Sequence, residues 1–156
     1  MMRTYHLSLG SNMGDRASIL RSGLDRLKAV GQVRKVSAFY ETKPWGNPDQ
    51  ADFLNAAAEF QTDLLPEGLL DTIKKIEMEA GRDLTAERWG PRPLDIDILL
   101  QGTLRLSTPR LTIPHPHLAD RDFVLAPLSE IAPEVEVPGT GKTAAELWAG
   151  RQASGR

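Results

Sequence analysis

The spacing of apolar residues over the first third of the chain predicts a strand, a turn and a helix. Residues 5–9 have the pattern of a short strand, and the glycine-flanked segment 10–14 that follows is typical of a tight turn. Asp15 is suited to cap a helix, and apolar residues recur at helical spacing from Ile19 to Leu27. The chain therefore opens with a strand, turn and helix.

The next stretch of the chain predicts two strands, a second helix and a further strand. Residues 33–40 and 53–62 are strand-like, and the turn-forming residues of segment 42–49 predict a long loop between them. From residue 66 to 81 apolar positions recur with a period near 3.6, which predicts a helix. Residues 94–100 alternate apolar and acidic positions, as in a strand with one buried face.

The order of these elements is βαββαβ, the split pattern of ferredoxin-like folds. We therefore expect an α+β fold whose ferredoxin-like core has an antiparallel sheet with the helices packed on it. A C-terminal extension should hold short strands at residues 104–106 and 111–113, a helix from Phe123, and a loose tail. Residues 82–92 have no periodicity and are expected to form a mobile loop. Because no linker or repeat interrupts the chain, we expect one domain over residues 1–156.

Composition narrows the classes of function. The chain has 156 residues, of which 40% are hydrophobic and 26% are charged, which is typical of a globular domain. The absence of cysteine excludes disulfides, cysteine-ligated metals and thiol nucleophiles. The formal net charge is -2, and no apolar run approaches the length of a membrane span. We therefore expect a cytoplasmic protein that acts on small molecules, with neither nucleic acid nor a membrane as its partner.

Two acidic residues are the strongest candidates for metal chemistry. Asp95 and Asp97 lie two positions apart on a predicted strand, so both carboxylates point to one face with Cα atoms roughly 6.6 Å apart. Mg²⁺ usually takes one or two protein carboxylates, and substrate phosphates supply its other ligands. The alternative is an ordinary strand with one solvated face.

Arginines flank this pair along the chain. Their guanidinium groups match phosphate oxygens in bidentate geometry, whereas carboxylates hold the metal that bridges those oxygens. The two sets together predict a phosphoryl-transfer site, and the alternative is a scatter of surface arginines. The arginines concerned are Arg82, Arg88, Arg92, Arg110 and Arg121.

Three other motifs carry less weight. Segment 139–143 (GTGKT) resembles a phosphate-binding loop, but Glu136 stands where that loop requires its first glycine, so we predict a surface turn. Segment 10–14 lacks the third glycine of a dinucleotide fingerprint. His115 and His117 could suggest a metal site, but no third soft ligand lies nearby. His115 therefore either donates a hydrogen bond to an anion or is structural.

Residues 88–100 (RWGPRPLDIDILL) form a motif that links the chain to a known family. Further motifs of that family follow in its order: GSN at 10–12, FYET at 39–42, DFLNA at 52–56, PHP at 114–116 and RDFVL at 121–125. From the first strand to about Pro138, the chain closely resembles the 6-hydroxymethyl-7,8-dihydropterin pyrophosphokinases of folate biosynthesis.

The resemblance implies transfer of pyrophosphate from ATP, the co-substrate, to the hydroxymethyl oxygen of the reduced pterin, with release of AMP. It also implies two Mg²⁺ ions held by Asp95 and Asp97, with Arg82 and Arg92 as catalytic arginines. The ATP contacts that it implies are Glu77, Arg88, Trp89, Arg92, Ile98, Arg110, Thr112, His115 and Arg121.

The same resemblance implies a pterin pocket. Phe53 and Phe123 would stack on the ring and Asn55 would bind its polar edge, which suits a flat heterocycle rich in donors and acceptors. Thr42 and Pro44 complete the implied pocket. Without the family, the two phenylalanines would be interpreted as core residues, and Glu77 as an exposed helix charge.

The chain departs from the family's pattern at three positions. Leu84 stands where a second loop arginine is common, which puts one phosphate contact in question. Pro93 replaces the usual threonine and restricts Arg92 to extended conformations. Lys74 stands where some members have glutamine, which affects the implied nucleotide contacts of the second helix.

Two other functions would use part of the same equipment. A metal-dependent phosphodiesterase or nuclease would share Asp95, Asp97 and the arginines, but it would need a basic cleft for a polymer, and the acidic balance of the chain disfavours one. A non-catalytic ferredoxin-like ligand-binding module would need no aspartate pair beside an arginine-rich loop. We expect a monomer that binds ATP and a reduced pterin.

Overall fold

The computed structural model of the chain describes residues 1–42, 52–81 and 93–154. The predicted loop at residues 82–92 and most of the predicted loop at residues 42–49 lie outside these ranges. Within the described ranges, no helix combines the length and the apolarity needed to cross a membrane.

An antiparallel sheet forms the centre of an α+β fold. Its strands are β1 (Arg3–Ser11), β2 (Gln32–Val36), β3 (Tyr40–Thr42), β4 (Phe53–Thr62) and β5 (Asp95–Gln101). Across the sheet the order is β2-β4-β1-β5, and β3 also pairs with β4. Most residues of β1 and β4 are buried, so these strands have packed layers on both faces.

Two helices cover one face of the sheet. They are α1 (Arg16–Leu27), whose N-terminus is capped by the Asp15 side chain as predicted, and α2 (Pro66–Glu79). The main apolar core lies between these helices and the strands, and burial of each large apolar side chain there contributes about 1.5–3 kcal/mol. Its fully buried members include Leu7, Leu9, Leu20, Phe60, Leu69 and Ile73.

A third helix, α3 (Asp122–Ile131), packs against β4, and the predicted helix at Phe123 is thereby confirmed with its start one residue earlier. A second apolar cluster joins α3 to β5, with Leu99, Leu100, Val124, Leu125 and Leu128 among its buried members. The Glu130 carboxylate, near the end of α3, accepts hydrogen bonds from the Ala38 N–H and the Tyr40 hydroxyl. Ala38 lies between β2 and β3, and Tyr40 lies within β3, so these bonds fix the end of α3 to this part of the sheet.

The prediction of one continuous strand over residues 33–40 is wrong. The structure divides it into β2 and β3, because the backbone ladder ends at Ser37, whose N–H donates to the Ala57 carbonyl at 2.9 Å, and a side chain replaces it at Ala38. The Ser37 hydroxyl accepts a hydrogen bond from the Ala57 N–H at 2.9 Å, and the Ala38 N–H turns to the Glu130 carboxylate at 3.0 Å. The bond to Glu130 satisfies the Ala38 N–H outside a regular strand, and the bond to Ser37 satisfies the N–H of Ala57 within β4.

Two short ribbons follow β5. The first joins β6 (Leu106–Ser107) to β7 (Thr112–Ile113), close to the strands predicted at residues 104–106 and 111–113. The second joins β8 (Glu136–Val137) to β9 (Lys142–Thr143), and the GTGKT segment supplies its turn, as predicted.

The prediction of a loose tail is wrong. Helix α4 (Ala144–Ala153) follows β9 directly and packs against α3. Ala144 is fully buried, and Arg151 donates to the Asp122 carboxylate at 2.9 Å. Thr143 and Glu146 form a capping box, in which each side chain accepts a hydrogen bond from the backbone N–H of the other.

We expect Thr143→Ala to lower the free energy of unfolding by about 1 kcal/mol, because it removes the N-cap of α4. Urea unfolding followed by circular dichroism measures the change. An unchanged midpoint would show that α4 does not belong to the cooperative unit.

Candidate active site

Three neighbouring strands bring predicted pterin and metal residues into one row. Gly10 of β1 pairs with Asn55 of β4 on one side and with Asp95 of β5 on the other. Ser8, two positions earlier in β1, pairs with Asp97. Because paired residues of antiparallel strands project to the same face, Asn55 and Asp95 share a face about 10 Å apart, which is two strand spacings.

The pterin side of the row is tightly packed. The buried Asn55 donates a hydrogen bond through Nδ2 to the Thr42 hydroxyl at 2.6 Å, and Phe53 pairs in register with Thr42. A Cβ atom at Gly10 would lie 2.9 Å from the Asn55 Oδ1 and 3.6 Å from the Phe53 ring. The structure therefore brings together three of the predicted pterin residues, and Pro44 lies outside the described residues.

The metal side of the row concentrates negative charge. Asp95 and Asp97 project from β5 to one face, as the spacing predicts, and both are half-buried. Burial, and then the charges of Asp95 and Glu77, raise the pKa of Asp97 to about 7, against the opposing effect of Arg121 and Lys74. Carboxylates in such surroundings favour either a proton or a cation.

Glu77 of α2 is buried, so the interpretation of this residue as an exposed helix charge is wrong. Its Oε2 accepts a hydrogen bond at 2.9 Å from the N–H of Ile96, the residue between the two aspartates. The Nζ of Lys74 lies 3.9 Å from its Oε1. Glu77 therefore fixes the backbone from which Asp95 and Asp97 project.

His115 is placed beside the carboxylates by its backbone. Its N–H donates to the Leu99 carbonyl at 2.9 Å, and its ring Nδ1 accepts from the His117 N–H at 3.1 Å. Burial, and then the charges of Arg121 and His117, lower the pKa of His115 to about 4, while Asp95 opposes this shift. The ring is therefore neutral near pH 7 and carries its proton on Nε2, which makes it a hydrogen-bond donor.

Arg121 precedes α3, and its guanidinium carbon lies 5.6 Å from the centre of the Phe123 ring, within cation–π range. The charge of Arg121 lowers the pKa of both Asp97 and His115, so this cation lies near the aspartate side of the row. Phe123 is partly buried against the second apolar cluster.

Other predicted ATP residues either do not belong to this row or lie outside the described residues. Arg110 is exposed and forms ion pairs with Glu67 and Asp71 of α2, Thr112 is exposed on β7, and Ile98 is buried in the main core. Their contacts with ATP stay predictions. The predicted residues that lie outside the described ranges are Arg82, Arg88, Trp89 and Arg92, together with the departure at Leu84.

The donor set fits Mg²⁺. Over residues 1–42, 52–81 and 93–154, no group of three or more histidine or acidic side chains is arranged to hold a metal ion. Mg²⁺ requires no such group, because it binds through one or two carboxylates and completes its coordination with phosphate and water. The charge that raises the pKa of Asp97 is of the kind that a dication neutralises.

Sequence reasoning missed the place of Gly10 and the burial of Glu77. The sequence pattern predicts a turn at Gly10, but this residue lies within β1 at the centre of the row. Helical periodicity could have found Glu77, because it falls four positions after Ile73, on the buried face of α2.

Comparison with known proteins identifies the family. The family model described as 7,8-dihydro-6-hydroxymethylpterin-pyrophosphokinase (HPPK) matches residues 6–133. The 2-amino-4-hydroxy-6-hydroxymethyldihydropteridine pyrophosphokinase of Bacillus subtilis is 47% identical over 142 residues, which cover 90% of this chain and 84% of the relative. The enzyme of the same name from Methylorubrum extorquens is 46% identical over 141 residues, covering 89% and 88%.

A solved structure supports the fold. The structure of Plasmodium falciparum HPPK-DHPS with pteroate has a TM-score of 0.80 at 15% identity and covers 98% of this chain. This chain spans 43% of the length of that protein.

The chain therefore belongs to the HPPK family, a family of ATP-dependent diphosphotransferases. Its activity is that of a pyrophosphokinase in folate biosynthesis.

We expect Asp97→Asn to stabilise the Mg²⁺-free protein more at pH 8 than at pH 5. The folded protein holds the Asp97 proton up to a pKa of about 7, whereas an exposed carboxyl loses it near pH 4. The folded state binds more protons between these values, so the wild type loses stability as pH rises through them. Asparagine removes this loss.

Thermal unfolding at the two pH values measures the effect, and we expect the Tm gain of the variant to grow by at least ~3 °C, since 1 kcal/mol corresponds to roughly 2–4 °C. Asp63→Asn, at an exposed carboxylate, is the control. A Tm gain that does not change with pH would contradict the buried charge.

Proposed function

We propose that the row of Asn55, Gly10 and Asp95 is where pyrophosphate passes from ATP to the hydroxymethyl oxygen of 6-hydroxymethyl-7,8-dihydropterin. The observation that supports this proposal is the register of β1, which puts Asn55 on the same face as Asp95 and Asp97. A separation of about 10 Å leaves room for the hydroxymethyl group and a phosphate between them.

The pterin binds on the Asn55 side. One Asn55 N–H is engaged by Thr42, which fixes the orientation of the amide and leaves its oxygen and its second N–H for the heterocycle. Phe53 and Phe123 stack on the ring, and Thr42 and Pro44 complete the pocket. Because Gly10 has no side chain, the space beside the Asn55 amide stays open for the ligand.

ATP binds on the aspartate side, where Asp95 and Asp97 hold two Mg²⁺ ions. When bound, these ions neutralise phosphate charge and orient the transferring group. Glu77 keeps both carboxylates in place through the Ile96 N–H. Neutral His115 donates through Nε2 to a phosphate oxygen, and Arg121 binds phosphate as a fixed cation.

The remaining ATP residues complete this site: Arg88, Trp89, Ile98, Arg110 and Thr112 bind the nucleotide, and Arg82 and Arg92 act as catalytic arginines. Reactions of this class depend mainly on positioning and electrostatic stabilisation, so no covalent enzyme intermediate is required. Family membership disfavours the nuclease and the non-catalytic module.

Finer points of organisation belong to the same proposal. The strand order β2-β4-β1-β5 supports a ferredoxin-like core, with the elements after β5 as its C-terminal extension. We propose that residues 1–156 form one pyrophosphokinase domain, active as a monomer in the cytoplasm, where ATP is available. Its partners are then ATP and the pterin alone, without nucleic acid or membrane.

AMP formation tests the proposed reaction. We expect the purified protein to release AMP from ATP and Mg²⁺ only when the reduced pterin is present. Asp97→Asn should lower turnover at least 100-fold, a loss of about 2.7 kcal/mol of transition-state stabilisation, because it removes an anionic metal ligand.

Asp63→Asn is the control for that variant, and its turnover should match the wild type. AMP release without pterin would contradict the proposed acceptor. Near-normal turnover of a folded Asp97→Asn protein at saturating Mg²⁺ would exclude the metal role of Asp97.

Phe123→Ala separates the two substrates. Loss of a stacking plane worth about 0.5–1.5 kcal/mol beyond its buried area should weaken pterin binding roughly 3–10-fold or more, while an ATP analogue binds nearly as before. Calorimetric titration measures both affinities. Phe39→Ala is a matched control, because Phe39 also packs beneath an arginine, Arg21, at 5.7 Å. Equal losses for both ligands would mean that Phe123 only supports the core.

A further inference from the structure

Arg16, the first residue of α1, contacts two separate segments with one guanidinium group. Its Nη2 lies 2.7 Å from the Glu41 carboxylate in β3, and its Nη1 donates to the Asp52 carbonyl at 2.9 Å, one residue before β4 begins. The two contacts therefore join the adjacent ends of β3 and β4 to the start of α1.

These contacts adjoin the pterin side of the row. The pairing of β3 with β4 spans only three residues and ends at the pair of Thr42 and Phe53. Glu41 immediately precedes Thr42, and Asp52 immediately precedes Phe53. Arg16 thus contacts the residue before each member of the last pair of a short ladder, and a ladder this short has little stability of its own.

The base of Arg16 is rigid. Asp15 caps α1 through the Ser18 N–H, and the preceding Ser11 and Asn12 are buried and continuous with β1. The planar guanidinium can hold two acceptors in fixed geometry, whereas an ammonium group cannot. Arg16 therefore connects the start of α1 with the strands β3 and β4 that carry Thr42 and Phe53.

We propose that Arg16 is a positioning residue for the pterin pocket. It does not touch the substrate; it fixes Thr42 and Phe53, and through the Thr42 hydroxyl it fixes the Asn55 amide. This inference rests on the proposed function and adds to it a determinant of pterin affinity that acts from α1.

Steady-state kinetics of Arg16→Gln test the proposal. We expect the KM for the pterin to rise about 5–20-fold, while the KM for ATP and kcat change less than about 2-fold. The reason is that only the strand ends at Thr42 and Phe53 lose their support. Glu41→Gln removes the ion pair but leaves the Asp52 contact, and should give a smaller rise. Arg16→Lys should also fall between wild type and Arg16→Gln.

Arg26→Gln is the matched control, because Arg26 lies on the same helix and pairs with Glu79 at the same 2.7 Å. We expect it to leave both KM values within 2-fold of wild type. A charge swap tests the ion pair directly. The double variant Arg16→Glu, Glu41→Arg should have a lower pterin KM than Arg16→Glu alone.

A lower Tm for Arg16→Gln with a pterin KM within 2-fold of the control would overturn the proposal and leave Arg16 a structural role. Parallel rises in both KM values would overturn it as well. Failure of the proposed function is distinguishable, since the wild type itself would then form no pterin-dependent AMP.

Discussion

The antiparallel pairing of β1 with both β4 and β5 is the constraint on which the candidate site depends. Pairing fixes which residues share a face. A register shift of one residue would therefore send Asn55 or Asp95 to the face that α1 and α2 cover. The apolar residues of β1 enforce this register, because Leu7 and Leu9 are buried in the core beneath α1 and α2. Packing on one face thus determines the chemistry on the other.

Negative charge is concentrated at the start of the edge strand β5. Asp95 and Asp97 begin the edge strand β5, where Ile96 pairs with Leu9 of β1 and donates its N–H to the Glu77 carboxylate rather than to a further strand. A carboxylate serves here as a hydrogen-bond acceptor and also adds to the negative potential that raises the pKa of Asp97. The same group therefore orders the backbone of Asp95 and Asp97 and adds to the negative charge around them.

Much of this arrangement can be predicted from local patterns. The periodicity of the two long helices and the alternation around Asp95 and Asp97 identify the core elements, because each pattern reflects burial of one face. Two features could not be predicted in this way: the strand break after Ser37, and the helical conformation of the C-terminal residues. They depend on contacts distant in sequence, such as the bond from Ala38 to Glu130 and the packing of α4 on α3. Motif resemblance named the site residues, but only the sheet register relates Asn55 to Asp95 in space.

Helix α3, which is about 15 Å long, links Phe123 to the strand that pairs with Asn55. Phe123 lies in its first turn, and Glu130 near its end holds Tyr40, which pairs with Asn55. A ligand that pushed Phe123 outward would therefore also strain the hairpin on which Asn55 depends. Under the proposed function, the two walls of the pterin pocket therefore move together, so ring systems bulkier than a pterin should be rejected by shape even when their polar edge matches.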